Sequence, residues 1–562
     1  MMALRRYFVL SLLLRHSLAA NNSNISYDVL QYVDPLIGSA NGGNVFAGAS
    51  LPYGMAKAVA DSQSSTNQGG FSYGGDNISG FSNMHDSGTG GLPSLGNFAL
   101  FPYGSCKGDE VDGCVYPKKD RSTNYVDGSV KASPGYFGLT LESGIRVDMT
   151  VAHHTSLFRF RFPTATDVTG RASSPLILMD LTDLSDSRQD NGTITVEPST
   201  GRMTGNSRFL PSFGTGSYVL YFCADFKSSA ELRDNGIFVD SRASTDVKHL
   251  KISRSINGYP LPGGAFVRFH SPLDDTILAR VGISFISSEQ ACSNAESEIP
   301  TFDFDATHSS AEKVWREKLS PIRVSREGGD PSLLTNFYSG IYRTMINPQD
   351  YTGENPLWNS TEPYFDSFYC LWDSFRSQLP FLTILDPKAV TRMIRSLIDI
   401  QQHLGWLPDC RMSLCKGYTQ GGSNADIVLA DAYIKGLFDG IDWETGYGAV
   451  KKDAEEEPYD WSNEGRGGLL SWKTLNYIPV QDFDYWGFGT MTRSISRTLE
   501  YSYDDFAISQ IARGLKKTED AEKYEETSRV VPAQVLEPDV GLSGPDYMFK
   551  HRYQWASLLF AE

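Results

Sequence analysis

The chain has 562 residues, 40% of them apolar and 21% charged, which is too long for one ordinary core and too apolar for a disordered chain. Its formal net charge is −17, from 50 Lys and Arg against 67 Asp and Glu. That excludes the general phosphate-attracting field of a nucleic-acid binder, while an acidic surface by itself identifies no substrate.

At the N-terminus, Arg5 and Arg6 precede a short apolar run, Tyr7 to Leu14, and small residues follow at Ala19 and Ala20. This is the order of a secretory signal peptide over residues 1–20, and no later stretch is long and apolar enough to span a bilayer. Acceptor sequons at Asn21, Asn24, Asn77, Asn191 and Asn359 agree with a secreted or secretory-pathway protein. The cysteine count of 7 is odd, so at least one lies outside any disulfide. Cys106/Cys114 and Cys410/Cys415 are each close enough to close a small loop, and the spacings match no zinc signature. One or two structural disulfides plus buried thiols are expected.

From Val29 to Ser288 the pattern is strand-like. Leu139-Thr-Leu141 leads through Ser143-Gly144 into Ile145 to Val151, an alternation that reads as a hairpin with one buried face. Phe158-Arg-Phe160-Arg-Phe162 alternates as cleanly, and further apolar runs follow at Leu176 to Leu181, Tyr218 to Ala224, Ala265 to Phe269 and Ile277 to Ile286. Strands of this kind fold as a sandwich of two antiparallel sheets. Strand alternation would turn the rings of His153 and His154 to opposite faces, which argues against joint metal binding.

After Phe302 the period becomes helical. Ser309 to Leu319 reads as a linker helix. Asp330-Pro331 and Asp386-Pro387 each pair an N-cap with an N1 proline, and Gly405 reads as the stop of the second helix. Asn424 to Phe438 and Ser496 to Leu515 are two further helices. Glu500 and Asp504 share a helical face, where paired carboxylates are more often solvated or internally hydrogen-bonded than catalytic. The acidic run Asp453 to Glu457 reads as a solvated loop.

Five segments carry a family resemblance. They are Tyr32 to Gly38 running on through Gly42-Gly43-Asn44 to Met55; Gly70 to Tyr73 with Gly80 to Gly90; Leu371-Trp-Asp-Ser-Phe-Arg376; Ala430 to Gly436; and Thr498 to Asp505. In this order they resemble glycoside hydrolase family 92. The resemblance implies an N-terminal antiparallel β-sandwich (28–300), a linker helix (301–325) and an (α/α)6 barrel (326–528). It implies removal of terminal α-linked mannose from N-glycans or related mannosides with inversion, and a Ca2+ ion gripping the sugar's vicinal hydroxyls. The family's acid, base and calcium motifs, of the types E-G-N-x-x-Q-Y-x-W, G-N-D-D-x-G and N-E-P-D, do not occur here. The tail 529–562 departs from the family pattern, so the barrel reads as incomplete. No catalytic residue and no metal ligand is therefore assigned. A non-catalytic glycan- or mannose-binding protein on the same scaffold is the alternative.

Candidate substrate-binding residues follow. Trp372 offers an apolar face to a sugar's C–H surface, while Asp373 and Arg376 accept from and donate to hydroxyls. His85, with Ser87-Gly-Thr89-Gly90, is expected on a sandwich loop reaching the barrel mouth, and Gly42 and Gly43 are expected to permit close backbone approach to a ligand. The sequence defines neither linkage preference nor oligomeric state.

Overall fold

The computed structural model describes residues 27–63, 69–74, 77–85, 96–163, 174–182, 189–253, 262–325, 330–419, 421–479, 482 and 493–529. The signal-peptide segment, Asn21, Asn24, Ser87 to Gly90 and the tail beyond 529 lie outside them.

Two antiparallel sheets form the first half. One runs, neighbour to neighbour, through Ala49–Ser50, Lys57–Ser62, Ile78–Ser82, Leu100–Tyr103, Leu176–Asp180, Gly263–Phe269, Leu232–Val239 and Arg242–Ser244. The other runs through His249–Ser253, Gln189–Val196, Met203–Phe209, Tyr218–Ser228, Thr276–Ser284, Thr155–Arg161, Arg146–Val151, Tyr136–Thr140 and Lys131–Ser133. The expected hairpin is present, with Leu139 opposite Val147 and Gly144 in the left-handed region at its turn. Phe158, Phe160 and Phe162 all point inward, and Phe160 meets Phe81 of the facing sheet edge-on with ring centroids 6.3 Å apart.

The alternation leaves Arg159 and Arg161 on the outer face, where they converge with Arg146 on Asp148. Asp148 is buried, and although burial pushes its carboxyl up, the Tyr136 hydroxyl and the surrounding guanidinium groups hold it below its ordinary range. Leu157 also faces outward but is fully buried, packed against Ile299 and Phe304. The chain thus covers its own second sheet with the helices Ser288–Glu298 and Phe304–Leu319.

A helical region follows, and its caps show the sequence logic. Asp330 accepts from the Ser332 N–H at 2.9 Å ahead of Pro331–Arg343. Gly405, at φ +95°, closes Pro387–Leu404 by donating to Gln401 O. Asp386 departs from the expected cap: its carboxylate takes the Tyr53 hydroxyl and the Lys318 ammonium, so it joins three segments of the chain. The remaining longer helices are Gln378–Leu385, Ala425–Ile434, Trp443–Glu455, Leu469–Leu475, Ser494–Gly514 and Thr518–Ser528. Asp453, expected in a solvated loop, is fully buried on the inner face of Trp443–Glu455 beside Ala449 and Val450.

Side chains lock the two halves together. Trp315 is buried against Tyr342 and donates its indole N–H to Ser50 O at 2.7 Å. Glu354 accepts from Ser284 Oγ (2.6 Å), Phe285 N (2.8 Å) and Asn294 Nδ2 (2.9 Å), satisfying a buried carboxylate with three donors from the sandwich side. One apolar core runs continuously through both halves.

Three disulfides are formed, Cys106–Cys114, Cys223–Cys292 and Cys370–Cys410, and Cys415 is a buried thiol. The first matches a short loop seen in the sequence. The expected Cys410/Cys415 loop is corrected: strand pairing sets Cys410 directly opposite Cys370, which makes the long-range partner the near one. His153 and His154 also depart from expectation. They sit in the turn between two strands, where alternation lapses, and their rings lie side by side with His153 Nδ1 3.2 Å from His154 Nε2.

Candidate functional site

The Trp372 to Arg376 segment stands on a rigid base. Arg411 is fully buried and donates to Asp366 Oδ2 (2.8 Å), the Tyr364 hydroxyl (3.1 Å) and Leu414 O (3.1 Å). On this base the strand Cys410–Met412 pairs with Tyr369–Cys370, and the Cys370–Cys410 disulfide clamps the pair. Leu371 N then donates to Asp409 O at 2.7 Å, and one helical turn, Leu371–Ser374, begins. The turn buries Leu371 and Ser374. By helical geometry it must present Trp372 and Asp373 on the other side, and the structure has Asp373 and Arg376 exposed and Trp372 half-buried.

Arg376 folds back over this turn. Its guanidinium lies 4.7 Å from the centroids of both the Trp372 and Phe375 rings, and Nε donates to Trp372 O at 3.0 Å. Nη2 reaches Glu500 Oε1 at 3.3 Å, across 124 residues of sequence. Burial raises the Glu500 carboxyl above its usual range, with Arg376 and Trp372 opposing. Burial also raises Asp373, again opposed by Arg376. Gly421 and Gly422 let the chain pass directly over this helix, because a Cβ on Gly422 would sit 2.6 Å from Glu500 Cβ. The resulting surface offers a flat aromatic ring, a carboxylate and an oriented guanidinium within one helical turn, which is the donor, acceptor and apolar set that a pyranose ring uses.

Beneath Glu500 the interior is polar. Arg466 is fully buried between Asp426 (2.6 Å), Asp505 (2.7 Å) and Asp504 (3.8 Å). Asp505 also accepts from Trp472 Nε1 and Thr527 Oγ1, and Asp453 accepts from Ser423 Oγ at 2.7 Å. One guanidinium cannot neutralise four carboxylates. Burial pushes Asp426 up to about 7, and Asp453 and Asp504 well above their ordinary value. Asp504 is thus neither solvated nor hydrogen-bonded: it is fully buried, and its contact with Arg466 is the long one at 3.8 Å. Among the described residues no group of three or more His, Cys, Asp or Glu side chains is arranged to hold a metal ion.

His85 does not reach a surface: it is fully buried in the sandwich, its Nε2 3.0 Å from Asp61 Oδ1 and its ring beside Phe46. Gly70, at φ +92°, packs on that ring, which a Cβ would approach to 2.7 Å. Gly42 and Gly43 form an exposed turn. Gly42 has φ +73°, and a Cβ on Gly43 would lie 2.2 Å from Gly38 O, so the turn's own geometry accounts for both glycines. Of the sequons, Asn359 is exposed, Asn77 is half-buried, and Asn191 is half-buried in a strand with Nδ2 3.3 Å from Asp190 Oδ2. Sequence reasoning missed Tyr369, Phe213 and Tyr418. Phe213 comes from the sandwich, and its ring contacts Tyr369 and Tyr418 of the helical region at centroid distances of 5.7 and 5.6 Å. No sequence pattern links these three positions.

Comparison with known proteins adds to this geometry. Residues 32–284 match the description "Glycosyl hydrolase family 92 N-terminal domain" and residues 290–543 match "Glycosyl hydrolase family 92 catalytic domain". A protein of Arthroderma benhamiae described as "Uncharacterized secreted glycosidase" is 50% identical over 501 residues, covering 88% of this chain and 61% of the relative. Among solved structures, the family 92 inverting mannosidase of Bacteroides thetaiotaomicron superposes with TM-score 0.76 at 22% identity, over 90% of this chain and 65% of that one. A family 92 α-mannosidase of the same organism, in complex with mannoimidazole, gives TM-score 0.74 at 22% identity, over 89% of this chain and 63% of that one. This chain spans less than two thirds of each relative's length.

Proposed function

The chain belongs to glycosyl hydrolase family 92, and from that premise we propose that the protein is a secreted glycosidase that removes terminal α-linked mannose from N-glycans or related mannosides with inversion. The observation that carries the reading is the Trp372–Asp373–Arg376 surface held open beside Glu500. Trp372 packs against the apolar face of the terminal sugar. Asp373 accepts from one of its hydroxyls. Arg376 donates to another, and Glu500 positions the guanidinium rather than attacking or protonating the substrate.

Inversion needs an acid for the leaving oxygen and a base for water on the opposite face, roughly 6.5–9.5 Å apart. Neither role is assigned to a described residue here, since Glu500 is committed to Arg376 and Asp504 lies in the closed interior. A calcium ion, when bound, would polarise and distort the sugar through its vicinal hydroxyls. The described residues do not assemble a donor set for it, so no step here runs through it. A signal peptide and sequon glycosylation belong to the same proposal. The name of the Arthroderma relative supports secretion, and no described helix is long and apolar enough to cross a membrane.

The test is release of free mannose from synthetic α-mannosides, set beside β-mannosides and α-glucosides, by the protein and by its Trp372→Ala variant. The proposal expects release from α-mannosides alone, falling at least tenfold in the variant while its melting temperature holds. Equal release by the variant would remove Trp372 from the site. Binding of α-mannosides without any release would favour the non-catalytic glycan-binding alternative.

A further inference from the structure

A loop of the sandwich crosses to the helical region beside the candidate site. It connects Met203–Phe209 to Tyr218–Ser228. Thr215 N donates to Lys416 O at 2.9 Å, forming an isolated antiparallel bridge between the two halves. Gly214, at φ +121°, makes this approach possible, because a Cβ there would lie 2.2 Å from Lys416 O. The loop is thereby pinned, and it carries Phe213 into contact with Tyr369 (ring planes 54° apart) and Tyr418 (84°). All three rings are half-buried, so they form a wall rather than a closed core.

The wall continues the surface of the proposed sugar seat. Tyr369 stands two residues ahead of the turn that carries Trp372 and Asp373, and the nearby Asp373 charge adds to burial in raising its phenol. Tyr418 stands three residues ahead of Gly421, where the chain crosses the helix of Glu500. Tyr369, the first ring of the wall, therefore stands close enough to Asp373 to feel its charge, and a terminal sugar seated against Trp372, Asp373 and Arg376 has aromatic surface on that side. Aromatic faces take the C–H surface of neutral sugar rings and bring no charge that would select an ionic group.

We propose that Phe213 is a specificity-determining residue: with Tyr369 and Tyr418 it forms the platform for the second, leaving-group-side sugar, and it does so from the sandwich. The inference rests on the α-mannoside reading of the Trp372 surface.

Isothermal titration of the full chain with non-hydrolysable sulfur-linked analogues, methyl α-thiomannoside and the methyl α-thiomannobiosides, tests it. Phe213→Ala is expected to weaken the mannobiosides by roughly five- to tenfold and to leave the monosaccharide unchanged. Phe213→Leu, which keeps apolar packing without a flat ring, is expected to behave like Ala, and Phe213→Trp to restore affinity. Trp372→Ala is expected to weaken both ligands. If Phe213→Ala changes both ligands equally, or neither, while Trp372→Ala weakens both, the platform is overturned and the sugar seat stands. If the unaltered protein binds neither ligand, the α-mannoside reading falls and takes the platform with it.

Discussion

His153 and His154 occupy one turn, yet their surroundings drive the two rings in opposite directions. Burial, and then the charge of His154, lowers His153 to about 4, with Asp350 and Glu298 opposing and Arg392 assisting. Burial also acts to lower His154, but Glu298 Oε1 at 2.7 Å from Nδ1 outweighs it, helped by Glu354 and Asp350, so His154 is raised. A lowered histidine contributes stability that is complete above its unfolded value and is lost as pH falls toward 4. A raised histidine contributes stability that is complete below its unfolded value and is lost as pH rises through its folded value. Glu298, itself held low by His154, adds a loss only below its ordinary range. The pair therefore predicts greatest stability near the unperturbed histidine value of 6.5. In melting temperatures measured from acid to mildly alkaline pH, His154→Gln should flatten the fall on the alkaline side and His153→Gln the fall between about 6.5 and 4. Profiles unchanged by either substitution would contradict this assignment.

Other residues mark how much of the site was legible at this scale. Trp372, Asp373 and Arg376 were found through the segment's family resemblance, and all three take part in the exposed surface. The Arg376–Glu500 ion pair was not legible, because helical spacing relates Glu500 to Asp504 on its own helix and says nothing of a partner 124 residues away. His85 was expected on a loop at the barrel mouth, whereas it is buried with Nε2 3.0 Å from the carboxylate of Asp61, 24 positions earlier, a contact that local sequence pattern does not announce.

Elements were easier to read than their inner faces. The Asp-Pro starts, the Gly405 stop and the Leu139 to Val151 hairpin depend on local dihedral preferences and came through within a few residues. The helix Trp443–Glu455 shows the limit. Its acidic end looks solvated in sequence, but Asp453 follows Ala449 and Val450 onto the buried face, where Ser423 meets it. What makes such a face tolerable is Arg466, the cation at the centre of Asp426, Asp504 and Asp505. Arg466→Met should destabilise the protein by about 3–5 kcal/mol in urea unfolding at neutral pH, since it strands buried carboxylates without their partner. A loss below about 1 kcal/mol would show that the carboxyls are already neutral without Arg466.

At the scale of the molecule, the sandwich is part of the site's construction. Trp315, Glu354 and Tyr53 fasten it to the helical region, and the Thr215–Lys416 bridge delivers Phe213 to the aromatic wall. The order of sheets followed by helices was legible from the change in hydrophobic period after Phe302. The contacts between the halves were not, because they join positions hundreds of residues apart with no shared spacing. The proposed function has this scaffold bind a terminal α-mannose at Trp372 and release it with inversion. The most direct measurement is time-resolved proton NMR of the protein acting on an α-linked methyl mannobioside. Inversion requires that mannose appear first as the β-anomer and only then equilibrate. Release as the α-anomer, or no release at all from any α-mannoside, would contradict it.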